Sequence, residues 1–384
     1  MIYFDNASTS FPKADGVGEE MEEFIEKNSV NISRGGYEKA YELQGKVTET
    51  RDKIKNLFNA GDSYIMCFTS GATFSLNIFL QGYLNMGDHV IISSLEHNAV
   101  VRTLKALEKR GVEHSAAKCD SEGILDIESV KSLIRENTKA ILMSHVSNVA
   151  GTIIPVDELG EICRENGLVF ALDAAQSAGS VPINMERSGI DFLAFSGHKG
   201  LLGPQGVGGF VAKEDLARNM DPLIYGGTGS FSDEETQPSI YPDKFESGTL
   251  PLPAIMGLSK ALDFIEKTGV DNIRKKEQKL TQRFLEGISK IDGVRIRGVS
   301  SADDTEKRAG VVSVDFSSVD NAIAAFALEH DYGIMTRVGL HCSPEAHMAL
   351  GTFPKGTLRF AFGYFNTEEE IDTAIKGIRE VALK

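Results

Sequence analysis

A lysine in a glycine-rich segment, Lys199, is the residue of this sequence best suited to covalent chemistry. It follows His198 within SGHKGLLGPQGVGG (196–209), where small residues allow a turn that brings its amine into a cleft. A desolvated lysine amine can form a Schiff base with an aldehyde. Upstream, the apolar run VFALD (169–173) ends in Asp173, and an aspartate at the end of a buried strand can partner a pyridinium nitrogen. A lysine and such an aspartate are the pair that pyridoxal phosphate (PLP) requires.

The predicted elements place these candidates at one edge of a sheet. Short Val/Ile/Leu/Phe runs alternate with helical patterns from residue 64 to residue 213, which predicts an α/β fold with a mostly parallel sheet covered on both faces. A lone lysine is more often a surface residue, and a turn such as TSGAT (69–73) is more often only a helix cap. Ligands of parallel sheets bind at the carboxyl ends of the strands, however, and the candidates share that location. They are Thr73, His97, Asn148, Asp173, Gln176, His198 and Lys199.

Composition and charge narrow the class of protein. The 384 residues predict two domains, or one large domain with an appendage, and 41% hydrophobic residues are ordinary for a soluble globular protein. A net charge of −15 argues against nucleic acid and anionic membranes as partners, and the lack of a long apolar run argues against a membrane span. The N-terminal residues lack a signal-peptide pattern, and the four cysteines include no CxxC. We therefore expect reduced thiols and a cytoplasmic location.

The second half of the chain has a different character. Residues 214–253 are rich in glycine, proline and serine and predict a long irregular connection, and its Gly-Thr pairs favour a functional role. A long helical pattern follows over about 254–291, and strands and helices then alternate to the end. We expect a large α/β domain over 14–255 and a small α+β domain, carrying the Cys342 loop, over 1–13 and 256–384.

Taken together, the motifs resemble the class V aminotransferase-like PLP enzymes and, within them, the cysteine desulfurase/selenocysteine lyase family. The matching motifs run in family order along nearly the whole chain: FDNASTSFPK (4–13), TSGAT (69–73), EHNA (96–99), HVSNVAGTI (145–153), LDAAQSAG (172–179), FSGHKGLLGPQGVG (195–208), FESGT (245–249), RVGLHC (337–342) and LRFAFGYFNTEEEID (358–372). The resemblance implies the PLP-dependent transferase fold type I, an amino-acid substrate and a homodimer with shared sites. The compact loop around Cys342 resembles the group-II type of the family.

The resemblance also implies a role for each matching residue around the cofactor. Lys199 is expected to bind the PLP aldehyde, and Asp173 to keep the ring nitrogen protonated. Gln176 is expected to hydrogen-bond the phenolic oxygen of the ring. His97 is expected to stack on the ring and to take part in proton transfer, with a helix cap as the alternative. The phosphate is expected to be held by the backbone at Ala72, by Thr73, Ser196 and His198, and by Thr249 of a neighbouring subunit.

Two further motifs are expected to serve the substrate. Asn148 and Arg359 would bind the substrate carboxylate, which a planar guanidinium pairs with bidentately; a structural ion pair is the alternative for Arg359. Cys342 lies where the family places its persulfide-forming nucleophile, and such a thiol needs an accessible loop near a positive group. An inert buried thiol, or a metal site with His341 and His347, is the alternative for Cys342. We expect no metal.

The resulting prediction is a PLP-dependent cysteine desulfurase that forms L-alanine and a persulfide on Cys342 and passes the sulfur to an acceptor protein. One alternative is a selenocysteine lyase or C–S β-lyase in which Cys342 is dispensable. Another is a catalytically idle PLP-fold protein that binds a partner, although a binding scaffold does not need Lys199. Ala72 and Tyr37 stand where family members often carry a hydroxyl and a histidine, so both bear on the choice of substrate.

Overall fold

The computed structural model describes residues 1–32 and 35–383. Its strands are β1 (Ile2–Tyr3), β2 (Tyr64–Thr69), β3 (His89–Ser93), β4 (Glu113–Ala117), β5 (Thr138–Ser144), β6 (Val169–Asp173), β7 (Phe192–Ser196), β8 (Gly208–Lys213), β9 (Val294–Arg297), β10 (Val311–Phe316), β11 (Ile334–Met335), β12 (Arg337–Gly339) and β13 (Thr357–Ala361). Its α-helices are α1 (Val17–Lys27), α2 (Glu38–Leu57), α3 (Ala72–Tyr83), α4 (Asn98–Glu108), α5 (Ile127–Ser132), α6 (Val156–Asn166), α7 (Glu214–Arg218), α8 (Leu252–Thr268), α9 (Val270–Ile288), α10 (Asn321–Tyr332), α11 (Pro344–Ala349) and α12 (Glu368–Ala382). A 3₁₀ helix covers Ala302–Lys307. None of the helices in the described part of the chain has the length and apolar character needed to span a membrane.

The main sheet has seven strands in the order β2-β8-β7-β6-β5-β3-β4. Strands β3 to β7 run parallel to one another, whereas β8 is antiparallel to both β7 and β2. Strand β2 therefore runs in the same direction as β7. The carboxyl ends of all strands except β8 meet at one edge, and the predicted mostly parallel α/β sheet is confirmed.

Alternating side chains of the central strands explain why helices cover both faces of this sheet. In β5, Ile141 and Met143 pack in a core with side chains of α2, α6 and α8. Ala140 and Leu142 point the opposite way and pack in a second core with side chains of α3 and α4. Burying one such Leu or Ile side chain contributes about 1.5–3 kcal/mol. The two cores make the sheet a rigid base for the loops at its carboxyl edge.

Two glycines at the start of β8 let the turn after β2 lie directly on the sheet. A Cβ atom on Gly208 would come within 2.6 Å of the Gly71 Cα, and one on Gly209 would come within 2.4 Å of the Cys67 carbonyl oxygen. Gly71 itself has a φ of 146°, a conformation that residues with a side chain rarely adopt. The GG pair therefore fixes the position of the turn that precedes α3.

The C-terminal part of the chain builds a separate sheet. Four antiparallel strands in the order β12-β13-β10-β9 pack with α9, α10 and α12 around a core that includes Phe284 and Phe360. The N-terminal arm forms a separate two-stranded sheet beside this one. Strand β1 pairs with β11, and the Phe4 ring lies 5.1 Å from the Phe362 ring. Residues from both ends of the chain thus meet beside the smaller sheet.

The long helical pattern over about 254–291 corresponds to two helices rather than to a continuous one. The structure has two helices, α8 and α9, which are separated by Gly269 with a φ of 82°. The helical pattern of apolar residues continues across the break because both helices are amphipathic, so periodicity did not reveal it. Helix α8 packs on α1 and α2 in the core of the main sheet. The predicted domain boundary after residue 255 lies inside α8, and the domain division stays a prediction.

Candidate active site

A cavity of about 230 Å³ lies at the carboxyl edge of the main sheet. Its walls come from segments that follow β2, β3, β5, β6 and β7, so the sheet topology assembles it from distant parts of the sequence. The predicted site residues that line it are Ala72, Thr73, His97, Asn148, Asp173, Gln176, Ser196, His198 and Lys199. The other predicted residues, Thr249, Cys342 and Arg359, lie outside its lining.

Lys199 and Asp173 face the same cavity. Asp173 is the last residue of β6 and is 6% exposed, and its Oδ1 accepts a hydrogen bond from the Ala175 N–H at 2.9 Å. Burial raises the pKa of this carboxyl group. Burial also lowers the pKa of the Lys199 amine to about 8, although the charge of Asp173 opposes that shift. The amine is therefore far easier to deprotonate than an ordinary lysine.

The opposite end of the cavity fits an anionic group. Helix α3 begins there, and the Ala72 N–H in its first turn donates to the Ser196 Oγ at 3.1 Å. Helix N-termini attract anions because their free N–H groups and dipole carry partial positive charge. The Nδ1 of His198 is buried and has no hydrogen-bond partner among the described residues. Burial, and next the charge of Lys199, lower the pKa of His198 to about 4, so its ring is neutral.

The N-terminal arm closes another side of this site. The Nε2 of Gln176 donates to the Ala7 carbonyl oxygen at 2.9 Å. The His198 carbonyl oxygen accepts hydrogen bonds from the Ser10 N–H and the Lys13 Nζ, each at 2.9 Å. The arm thus holds the turn that carries Lys199. Sequence reasoning used FDNASTSFPK only as a family motif and did not predict this positioning role.

His97 forms the helix cap considered from the sequence, and it also lines the cavity. Its Nδ1 accepts a hydrogen bond from the Ala99 N–H at 3.0 Å, so the ring caps α4. Burial, and next the charge of Lys199, lower its pKa to about 4. A neutral ring whose Nδ1 accepts must carry its hydrogen on Nε2.

Arg359 lies buried under the site with an internal partner. Its Nη2 donates to the Asp5 Oδ1 at 2.8 Å and to the Ser8 Oγ at 3.0 Å, and its Nη1 donates to the Asn148 carbonyl oxygen at 3.1 Å. The structural ion pair considered from the sequence is therefore present. The Nε is buried and has no partner among the described residues, so the guanidinium keeps an unused donor. Sequence reasoning did not identify Asp5 as its partner.

Cys342 differs from the other cysteines in its surroundings. Its side chain is exposed, and its Sγ lies 3.7 Å from the Arg337 Nη2. Burial raises the pKa of the Cys67 and Cys163 thiols, and it raises that of Cys119 to about 11. Arg337 belongs to the RVGLHC motif but was not among the predicted site residues. Its contact with the sulfur could have been anticipated only from the general need of a thiolate for a cation.

The two histidines near Cys342 are engaged elsewhere. The His341 Nε2 lies 3.1 Å from the Thr357 Oγ1, and the His347 Nδ1 lies 2.7 Å from the Thr352 Oγ1. Burial lowers the pKa of His347 to about 4 and that of His341 to about 2. No group of three metal-binding side chains occurs within residues 1–32 and 35–383. These two rings therefore contribute to the packing below the loop.

A partly buried lysine and a buried aspartate that face one cavity at the carboxyl ends of a mostly parallel sheet, together with a helix N-terminus at the same cavity, are typical of a PLP-dependent α/β enzyme. The model of the family described as aminotransferase class-V matches residues 2–373. The chain therefore belongs to the class V aminotransferase family, which uses PLP. This result confirms the predicted fold class and cofactor.

Within that family, relatives that resemble this chain over nearly its whole length are cysteine desulfurases. A probable cysteine desulfurase from Methanothermobacter thermautotrophicus is 32% identical, over 99% of this chain and 94% of its own. The apo structure of a cysteine desulfurase from Thermococcus onnurineus has a TM-score of 0.91 and 32% identity, covering 100% of this chain and 94% of that one. The cysteine desulfurase CsdA from Escherichia coli has a TM-score of 0.87 and 28% identity, covering 99% and 94%. The resemblance stated from the sequence is confirmed.

Proposed function

We propose that this chain is a PLP-dependent cysteine desulfurase, which converts L-cysteine to L-alanine and keeps the sulfur as a persulfide on Cys342. The names of its relatives support the reaction. The observation that carries the role of Cys342 is its exposed thiol next to the Arg337 guanidinium. A nearby cation favours the thiolate, which is the nucleophilic form of cysteine.

The residues that line the cavity fit PLP. When bound, PLP links covalently to the substrate amine and withdraws electrons from its Cα atom. Lys199 would hold the aldehyde carbon, Asp173 the pyridine nitrogen and Gln176 the phenolic oxygen. The helix N-terminus and the unpartnered His198 Nδ1 support a phosphate site at the other end. That site comprises the Ala72 N–H, Thr73, Ser196 and His198.

Two side chains of this cavity can act on protons. A lysine with a pKa of about 8 is partly neutral near pH 7 and fully able to accept a proton above pH 8, so Lys199 is the group that removes the Cα proton of the substrate. His97 uses its Nδ1 lone pair to cap α4, which leaves Nε2–H as a hydrogen-bond donor. His97 therefore orients bound groups in the cavity by donating a hydrogen bond from Nε2, whereas Lys199 accepts the Cα proton.

Asn148 and Arg359 are proposed to bind the substrate carboxylate. Asn148 lines the cavity directly, and the Arg359 Nη1 donates to the Asn148 carbonyl oxygen at 3.1 Å, so the two residues are adjacent. The buried Nε of Arg359 lacks a partner, and a buried unpaired donor is costly unless a ligand satisfies it. A carboxylate next to Asn148 would satisfy it.

The sulfur step is a transfer between two thiols and needs no external oxidant. The Cys342 thiolate attacks the sulfur of the bound L-cysteine, an S–S bond forms, and the bond between that sulfur and Cβ breaks. The electron pair of the broken bond goes to the carbon fragment, which takes up protons and leaves as L-alanine. The enzyme keeps both sulfur atoms on Cys342, and an acceptor thiol removes the outer one.

The proposal also includes a homodimer, a sulfur-acceptor protein and a cytoplasmic location. Thr249 is exposed and lies outside the cavity of its own chain, so only a homodimer lets it reach a phosphate. Exposed Tyr225 and Phe231, in the same irregular connection, support such a contact. The exposed Cys342 suits delivery of sulfur to an acceptor protein. The free thiols of the chain suit a reducing cytoplasm.

Replacement of Cys342 tests the assignment of the nucleophile. PLP-loaded wild type and Cys342→Ala are assayed with L-cysteine, L-selenocysteine and L-cystine, and alanine and pyruvate are both measured. We expect alanine from L-cysteine in wild type and a fall of at least about 100-fold in the variant. Cys119→Ala is the matched control and should retain wild-type activity. Unchanged alanine formation by Cys342→Ala would refute the persulfide role, and pyruvate as the main product would indicate a β-lyase.

A further inference from the structure

The loop that carries Cys342 has an unusual backbone. His341 and Cys342 have φ angles of 49° and 62°, so two consecutive residues that are not glycine lie in the left-handed region. Such a conformation persists only where the surroundings enforce it. The contacts around this loop must therefore hold it in place.

Three hydrogen bonds from the main-sheet side hold this loop. The Asn148 Nδ2 donates to the His341 carbonyl oxygen at 2.6 Å, and the Asn148 Oδ1 accepts from the Ser343 Oγ at 2.8 Å. The Asn98 N–H, in the first turn of α4, donates to the Cys342 carbonyl oxygen at 2.8 Å. Asn148 thus binds the residue on each side of the nucleophile, while α4 binds the nucleophile itself.

These contacts leave the Asn148 amide only one orientation. A carbonyl oxygen can only accept, so the His341 bond requires the NH₂ group on that side. The Oδ1 then faces Ser343, whose hydroxyl must donate. Asn148 and Ser343 are 6% and 0% exposed, so water cannot replace either partner. One of the two Nδ2 hydrogens remains unused, and Asn148 also lines the cavity.

We propose that Ser343 is a positioning residue, which places the Cys342 thiol by fixing the Asn148 amide between the cavity and the loop. Without the Ser343 hydroxyl, the Asn148 Oδ1 is buried and unpaired, and the amide can turn away from the His341 carbonyl oxygen. The strained backbone then relaxes and moves the thiol. A displacement of about 1 Å can slow a reaction about 100-fold. This inference rests on the proposed desulfurase function.

The test compares two reactions of one PLP-loaded preparation. Desulfuration of L-cysteine needs Cys342, whereas exchange of the Cα hydrogen of L-alanine in D₂O needs only the cavity residues. Both rates are measured at saturating substrate, so that a weaker contact between Asn148 and the carboxylate changes KM and not the compared rates. We expect Ser343→Ala to lower kcat for desulfuration about 10- to 100-fold and to change the saturated exchange rate by less than about twofold. The ratio of the two rates does not depend on the fraction of folded enzyme. Ser343→Thr, which keeps the hydroxyl, should restore the ratio.

Ser188→Ala is the matched control, because Ser188 is also buried and also donates to a side-chain oxygen, that of Asp157. Its ratio should equal that of wild type. If Ser343→Ala yields no folded protein, Ser343→Cys replaces it; the buried thiol is a weak donor, and a smaller fall in the ratio is expected. A wild-type ratio in Ser343→Ala, or in Ser343→Cys, overturns the positioning role. Wild type that exchanges L-alanine but does not desulfurate L-cysteine overturns the proposed function instead.

Discussion

The Lys199 turn and the Cys342 loop carry the two reactive groups of this protein, and they are built in different ways. The Lys199 turn follows a fully buried strand of the main sheet, and the N-terminal arm binds its backbone. The Cys342 loop follows β12, an edge strand of the smaller sheet, and its side chain is exposed. One turn is held by the sheet beneath it. The Cys342 loop depends on hydrogen bonds from Asn148 and Asn98, which lie in segments that follow strands of the larger sheet.

The electrostatics of the two regions also differ, because the Lys199 turn is largely buried and the Cys342 side chain is exposed. Burial lowers the pKa values of Lys199, His97 and His198. The two histidine rings are therefore neutral at physiological pH, whereas the Lys199 amine is partly neutral. Cys342 has solvent on one side and the Arg337 guanidinium on the other. The comparison teaches that burial tunes the covalent amine, whereas the thiol lies exposed beside the Arg337 guanidinium.

Of the changes that test this comparison, removal of the Lys199 amine should lower activity most. Lys199→Ala should lower desulfuration by at least about 1,000-fold, because no other side chain can replace the amine as covalent anchor and proton carrier. The visible absorption band of lysine-bound PLP should be absent, which spectroscopy of the purified variant checks. Lys213→Ala, at a lysine that only pairs with Asp191 on the surface, is the control. Full activity of Lys199→Ala would contradict the role of the buried amine.

The pH dependence of cofactor capture should be the next largest effect. A lysine amine must be neutral to add to an aldehyde, and the pKa of Lys199 is lowered from 10.5 to about 8. Stopped-flow mixing of cofactor-free enzyme with PLP should give a rate that rises about tenfold per pH unit below pH 8 and levels off above it. Arg359→Met removes a charge that lowers this pKa, so its curve should shift to higher pH. A midpoint near pH 10.5 in wild type would show that the amine is not desolvated.

The cation beside the thiol should have a smaller effect. Arg337→Gln should slow alkylation of Cys342 by iodoacetamide at pH 7 about three- to tenfold, because the thiolate loses its positive neighbour. Arg337→Lys keeps the charge and should retain most of the rate. Added salt should reduce the difference between wild type and Arg337→Gln, since it screens an exposed pair. Equal rates in all three proteins at low salt would mean that Arg337 does not support the thiolate.

Loss of the helix cap formed by His97 should have the smallest effect, which is on the stability of the fold. His97→Ala should lower the free energy of unfolding by about 1 kcal/mol, measured with urea, because the first turn of α4 loses its side-chain acceptor. His97→Asn should restore that stability, since asparagine is a good N-cap residue. Desulfuration should be reduced in both variants because neither has the ring. Wild-type activity in His97→Asn would assign His97 to the helix cap alone.

Motif order and strand ends were enough to predict most of the cavity. Residues at or just beyond the ends of buried strands, such as Asp173 and His198, line the cavity as expected because parallel strands end at one edge. The break at Gly269 was missed because the apolar period continues across it. The partner Asp5 was missed because it lies far from Arg359 in the sequence, and no local pattern records their contact. Arg337 was missed although it is close to Cys342 in the sequence, because the motif does not show which side chain faces the sulfur.

The sequence alone determined which chemistry is available: a lysine, an aspartate and a cysteine in an order that identifies the family. It could do so because residue types and the alternation of apolar runs are local properties. Only the tertiary structure decided that Arg359 is paired with Asp5, that His97 caps a helix, and that Asn148 joins the cavity to the Cys342 loop. Those contacts, and the pKa shifts that burial causes, depend on which surfaces pack together, and packing is a property of the folded chain.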